Sequence, residues 1–164
     1  MIKLQECVFI DGVRTPNARA HAEKGWFKDV RPDELLTEVY KAIFERNPKV
    51  KPEDVEGSFI GTANPSGMQN DLGRMSWLAS GLPLSVPTQT VTNQCPSGMT
   101  AVMNAARSIV SGENDIMLAG GAEDMEKVGM GTNIDFPPRL WEILNPVELP
   151  MGNTAEKVAE MYNV

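Results

Sequence analysis

The chain has 164 residues, 41% of them apolar and 23% charged, which is enough for one globular domain with a core and a squeeze for two. Fifteen basic against 22 acidic side chains leave a net charge of −7, which opposes a sequence-independent hold on nucleic acid or on an anionic membrane surface. Two cysteines, Cys7 and Cys95, are too few for a disulfide framework, and no apolar run matches a signal peptide or a membrane span, so a soluble protein of a reducing, cytoplasmic compartment is expected.

Glu6-Cys7-Val8-Phe9-Ile10 reads as a short buried strand closed by the turn signal Asp11-Gly12, with Cys7 as a core thiol. Residues 14–28 show no clean period and carry the single histidine, His21, so they read as a surface excursion. Pro32, with Asp33 and Glu34 beside it, opens a helix on which Leu35, Leu36, Val39, Tyr40, Ile43 and Phe44 recur at helical spacing, and the helix stops before Pro48. Residues 58–62 form the second predicted strand, followed by a loop of Gly, Pro, Ser and Asn over 63–71. A second helix runs from about Leu72 to Ser80, ended by Gly81. Residues 88–92 are the third strand. From Ser97 a helix directs Met99, Val102, Met103, Ala106, Ile109 and Val110 inward and stops at Gly112, and Ile116 to Ala119 is a fourth strand closed by Gly120-Gly121. Strands alternating with helices require crossover connections, so the expected class is α/β with a mostly parallel sheet, in which ligands bind beyond the carboxyl ends of the strands. After Ala122 the periodicity is lost until Pro150-Met151 begins another helix.

Cys95 stands where the third strand turns into a helix. Unpaired backbone N–H groups and the positive end of the helix dipole favour thiolate over thiol at such a place, which makes the sulfur a candidate nucleophile. A cysteine after a strand is also compatible with a structural role. Two features favour display of a nucleophile: the polar Asn93-Gln94 entry, and the small-residue face of Ser97, Gly98, Ala101, Ala105 and Ala106, which allows close approach. The order strand, nucleophile, helix parallels the hydrolase elbow without its Gly-x-Ser-x-Gly sequence. His21 lies far away in an irregular segment and is a poor partner for a cysteine hydrolase. One histidine and two separated cysteines give no zinc spacing, and Gly61, Gly67 and Gly73 match neither a dinucleotide fingerprint nor a P-loop, so no metal and no tightly bound cofactor are expected.

Several segments, in order, resemble the thiolase family. They are Arg14-Thr15-Pro16, Gly81-Leu82-Pro83 with Val86-Pro87, Cys95-Pro96-Ser97-Gly98, Ser108-Ile109-Val110-Ser111-Gly112, Gly120-Gly121-Ala122-Glu123-Asp124-Met125 and Met151-Gly152-Asn153-Thr154-Ala155-Glu156. The resemblance implies a thiolase-like fold, with an N-terminal βαβαβαβ half over residues 1–121 and the beginning of the inserted loop domain over 122–164. It implies an acyltransferase acting by retro-Claisen cleavage. Cys95 would attack the keto carbon of a 3-oxoacyl-CoA and pass the shortened acyl group to coenzyme A, a substrate here rather than a cofactor. Met151 would shape the acyl pocket. The segments Asp29-Val30-Arg31 and Glu45-Arg46-Asn47-Pro48, with Pro150 where the biosynthetic branch usually has histidine, look more like the degradative 3-ketoacyl-CoA thiolases of fatty-acid β-oxidation.

Pro96 departs from the glycine usual after the cysteine, and the family's Gly-His-Pro histidine, second cysteine and Asn-Glu segment are not in this sequence. The expectation is therefore the N-terminal part of a thiolase, inactive alone and paired with a complementary C-terminal half in cis or on another chain, in a homo-oligomer. A non-catalytic split module that binds acyl-CoA or a partner, and a biosynthetic acetoacetyl-CoA thiolase, are the alternatives. A stand-alone cysteine redox or hydrolase domain is disfavoured.

Overall fold

A computed structural model describes residues 4–164 and divides the chain into two compact units, Met1–Thr132 and Asn133–Val164. In the first unit, three strands form a parallel sheet in the order β2-β1-β3: β1 (Gly57–Gly61), β2 (Thr88–Val91) and β3 (Met117–Gly121). β1 is central, with Gly61 opposite Val91 on one side and Gly121 on the other. The α/β class with a parallel sheet that the sequence predicts is therefore observed.

Helices cover both faces, as parallel strands require. α1 (Pro32–Arg46) starts at Pro32, which needs no N–H partner there, and the Glu34 carboxylate accepts the Arg31 N–H (2.8 Å). It ends at Asn47, whose amide donates to the Ile43 carbonyl (2.9 Å). Its buried stripe of Leu36 and Tyr40 joins α2 (Leu72–Ala79) and the Ile60 side of β1 in one cluster with Val55, Leu72, Trp77 and Val86. The Tyr40 and Trp77 rings meet edge to face at 5.4 Å, and each finds a polar partner, Tyr40 Oη at Ser76 Oγ (3.1 Å) and Trp77 Nε1 at the Pro83 carbonyl (2.9 Å).

α3 (Ser97–Val110) lies against the other side of β1 and against β3. It corrects the predicted orientation. Its buried residues are Ser97, Ala101, Ala105 and Ser108, whereas Met99, Val102 and Met103 are exposed. Small side chains let the helix backbone approach the glycines of the strands, a gain that a face of methionines would forfeit.

The first predicted strand is not formed. Residues 6–10 are irregular, with Val8, Phe9 and Ile10 exposed and Cys7 half-buried rather than in the core. The physical reason is the lack of a partner. A cavity of about 450 Å³, lined by Cys7, Phe9, Val39, Ile43 and Leu118 among others, separates this segment from β3, and strand pairing needs neighbouring backbones within about 5 Å. The segment is held at its ends, where Gln5 donates to the Val110 carbonyl (3.0 Å) and Asp11 accepts from Arg46 (3.0 Å) and Asn47 (2.9 Å).

The second unit consists of α4 (Pro138–Ile143), a 3-10 turn at Pro146–Glu148 and α5 (Met151–Tyr162). Asn153 and Thr154 tie the start of α5 to the turn, donating to the carbonyls of Val147 (2.7 Å) and Glu148 (3.0 Å), and Asn163 in the left-handed region ends it. Among the described residues no helix is long and apolar enough to cross a membrane.

Candidate active site

β2 ends at Val91, and residues 92–96 carry the chain over the carboxyl edge of the sheet into α3. Gln94, a non-glycine residue, adopts φ 53°, a left-handed conformation that an L side chain takes only when its surroundings impose it. The imposing contacts come from Ser97, which is buried. Its hydroxyl donates to the Gln94 carbonyl (2.5 Å) and accepts the Asn93 N–H (2.8 Å), while its own N–H donates to Gln94 (3.1 Å). Asn93 Nδ2 adds a bond to Thr100 Oγ1 (3.2 Å). The turn is thus closed on itself, and the residue that follows the strained position, Cys95, is exposed at its crest.

Cys95 precedes Pro96, which flanks α3 as the half-helical N-terminal residue. Proline contributes no donor there, so the first N–H groups of the helix are those of Ser97, already bonded to Gln94, and of Gly98 and Met99. No side chain caps this helix start among the described residues, leaving the Gly98 and Met99 N–H groups without an intrahelical acceptor. Unpaired N–H groups at a helix start favour negative charge placed before them.

Two glycines set the close approach of backbones at this edge, Gly61 toward the helix start and Gly121 toward β1. A Cβ on Gly61 would lie 2.5 Å from the Ser97 carbonyl carbon and 2.6 Å from the Gly98 nitrogen, and a Cβ on Gly121 would lie 2.5 Å from the Gly61 carbonyl oxygen. Helix, central strand and edge strand are in backbone contact at the level of the cysteine turn.

The segments that follow all three strands meet at this edge. Glu123, just past β3, accepts from Thr62 Oγ1 (3.0 Å), from the Ala63 N–H and from Gln69 Nε2 (2.6 Å). Gln69 is fully buried; its Nε2 also donates to the Asn64 carbonyl (2.7 Å), and its Oε1 accepts the Asp124 N–H (2.7 Å). Thr92 Oγ1 donates to the Ala63 carbonyl (3.3 Å). Burial works against ionisation of Asp124, but Lys127 (2.9 Å), together with the backbone N–H groups of Lys127 and Glu126, outweighs it and holds the carboxyl below its ordinary range.

Cys95 lines neither of two cavities of about 490 and 450 Å³ in this unit. The larger, about 490 Å³, lies between residues 13–28, α1 and the Gly120–Asp124 segment; it includes His21, whose Nδ1 accepts the N–H groups of Glu23 (3.1 Å) and Lys24 (3.2 Å). His21 is therefore engaged within its own loop, and Cys95 stands on open surface. Met151, the other residue predicted for the site, is the exposed first residue of α5 in the second unit. No group of three His, Cys, Asp or Glu side chains among the described residues could hold a metal ion. The contribution of Gln69 and Thr92 to this edge is not evident in the sequence, where both sit in polar stretches that read as loop or strand end. Glu123 stands within the Gly-Gly-x-Glu segment that carries the resemblance, which by itself gives it no role here.

Residues 7–164 match the family described as thiolase, N-terminal domain. The chain belongs to the thiolase family. It is 36% identical over 160 residues to a 3-ketoacyl-CoA thiolase of Marinomonas sp. (strain MWYL1), covering 97% of this chain and 40% of the relative. It is 37% identical over 161 residues to the peroxisomal 3-ketoacyl-CoA thiolase A of Mus musculus, covering 97% and 37% respectively. The crystal structure of the Bacillus anthracis acetyl-CoA acetyltransferase superposes with a TM-score of 0.65 at 31% identity, over 85% of this chain and 38% of that one. The chain thus spans about two fifths of the length of the thiolases it matches.

Proposed function

We propose that this chain supplies the acyl-accepting nucleophile of a 3-ketoacyl-CoA thiolase, an acyltransferase of fatty-acid β-oxidation, and that Cys95 is that nucleophile. The observation that carries the reading is the exposed thiol on a strained, self-bonded turn at the carboxyl edge of a parallel sheet, directly before an uncapped helix start. The names of the curated relatives support the degradative direction over acetoacetyl-CoA synthesis.

In this reaction the Cys95 thiolate bonds to C3 of the 3-oxoacyl-CoA. The C2–C3 bond breaks, its electron pair goes to C2, and protonation there releases acetyl-CoA. The thiol of a second coenzyme A then loses its proton to a base, attacks the S-acyl cysteine and leaves as an acyl-CoA two carbons shorter, returning Cys95 as thiolate. Coenzyme A is substrate throughout, and no tightly bound cofactor or metal takes part. His21 is committed to its own loop, so the base and the proton donor come from a complementary thiolase half, in cis or on another chain, within a homo-oligomer. The exposed Met99, Val102 and Met103 on α3 support such a partner. Residues 122–164 begin the inserted loop domain, in which Met151 borders the acyl chain. Two unpaired cysteines support a cytoplasmic setting.

The test uses the Cys7→Ser chain mixed with a purified C-terminal thiolase half. Acetoacetyl-CoA should leave an acetyl group on Cys95, seen by intact mass, and added CoA should discharge it. Cys95→Ala should remove the adduct and lower thiolysis by at least about a thousandfold. An adduct that persists in Cys95→Ala, or no adduct in an assembled complex, overturns the proposal.

A further inference from the structure

We infer that Glu123 is a positioning residue for Cys95, acting through Ala63 and Thr92 rather than by touching the thiol. The inference rests on the reading of Cys95 as the nucleophile and adds the part that fixes where it stands. Glu123 lies beyond β3, Cys95 beyond β2, and the segment between them is residues 62–64 beyond β1. One carboxylate oxygen of Glu123 takes both the Thr62 hydroxyl and the Ala63 N–H, and the other takes Gln69 Nε2. Gln69 in turn grips the Asn64 carbonyl and the Asp124 N–H. Residue 63 is therefore clamped from the β3 side by its N–H.

On its other side the Ala63 carbonyl accepts the Thr92 hydroxyl, and the Thr62 N–H donates to the Val91 carbonyl (3.0 Å). Thr92 is the last residue before the turn. Asn93 and Ser97 then close that turn around the left-handed Gln94. A left-handed non-glycine residue relaxes unless both ends of its turn are fixed. Ser97 fixes one end, because it sits in backbone contact with Gly61, and the Glu123 clamp fixes the other through Ala63 and Thr92. A charged acceptor suits this task, since hydrogen bonds to a carboxylate are about twice as strong as neutral ones. Gln69, which holds Asn64 and Asp124, bridges the same two strand ends beside it, but among the described residues only Glu123 reaches the Ala63 N–H.

The experiment measures native-state amide exchange in the purified chain. In Glu123→Ala the Asn93 and Ser97 amides should lose roughly tenfold in protection, whereas the Ile60 and Leu118 amides in the sheet keep theirs. Glu123→Gln, which retains an amide oxygen for Ala63 and Thr62, should restore part of the loss. Thr92→Val, an exposed change that leaves the Glu123 bonds in place, should give a similar local loss, and combining it with Glu123→Ala should add little. Unchanged Asn93 and Ser97 protection overturns the inference, as does a uniform loss that includes Ile60 and Leu118. The readout involves no acyl transfer, so its failure leaves the assignment of Cys95 standing, and failure of acylation leaves the clamp standing.

Discussion

Two apolar segments of the first unit, Phe59-Ile60 in β1 and Val8-Phe9-Ile10 near the chain start, have similar composition and opposite environments. Ile60 is fully buried between a parallel partner on each side and a helix pair, whereas Ile10 is 69% exposed across a cavity from β3. β-branched and aromatic residues fit a pleated, half-buried surface, but they do not create one. The partner decides. Ile60→Ala should therefore cost about 2–5 kcal/mol in urea unfolding of the purified chain, and Ile10→Ala less than about 0.5 kcal/mol. Similar costs for the two would mean that residues 6–10 are packed in solution and that the comparison is wrong.

The same contrast explains how much was legible in advance. The helix of residues 32–46 follows from Pro32, the acidic first turn of Asp33 and Glu34, and the stripe through Leu36 and Tyr40, all local signals. The strand at 57–61 follows from its apolar run between turn residues. The placement of 6–10 depends on a neighbour that no local pattern reports. The inward face of α3 fails for a related reason: periodicity marks Met99, Val102 and Met103 as a stripe, yet the approach distance set by Gly61 selects the Ala101 and Ala105 side. For the site, the turn at Cys95 is readable from the strand-to-helix switch, whereas no signal in the sequence gives Glu123 a place at it. The clamp linking Glu123, Thr62, Ala63, Gln69 and Thr92 joins residues up to 61 positions apart and exists only once the three strands are side by side.

A second pair of substitutions sharpens the comparison at the helix start, where two glycines 37 residues apart in sequence meet. Gly61→Ala drives a methyl group into the backbone of Ser97 and Gly98, neither of which can rotate away, and should cost about 3 kcal/mol while displacing the Cys95 turn. Gly98→Ala meets nothing within 4 Å inside the first turn of a helix and should be neutral or stabilise by up to about 1 kcal/mol. Chemical denaturation of the two variants checks this, and the rate of Cys95 alkylation in Gly61→Ala reports the displaced turn. Equal stabilities would show that α3 floats free of β1.

The smallest of these effects concerns the buried side of the contrast alone. Tyr40 is 1% exposed, and burial pushes its phenol up to about 12, the hydrogen bond with Ser76 pulling only partly the other way. In the unfolded chain the phenol ionises near its ordinary value of about 10. Below pH 10 both states carry the neutral phenol and its pH-dependent contribution is complete; as pH rises from 10 toward 12, the unfolded chain releases the proton first and is favoured by about 2 kcal/mol. Thermal unfolding from pH 8 to 12 should therefore fall more steeply in the wild-type chain than in Tyr40→Phe. The variant keeps Ser76 satisfied, because its hydroxyl donates to the Leu72 carbonyl (2.6 Å), so it should lose only about 1 kcal/mol at pH 8 and close that gap at alkaline pH. Parallel pH profiles would mean that water reaches the ring in the folded state, and the interior formed by Tyr40, Trp77 and Ile60 would then be no drier than the exposed segment with which it is contrasted.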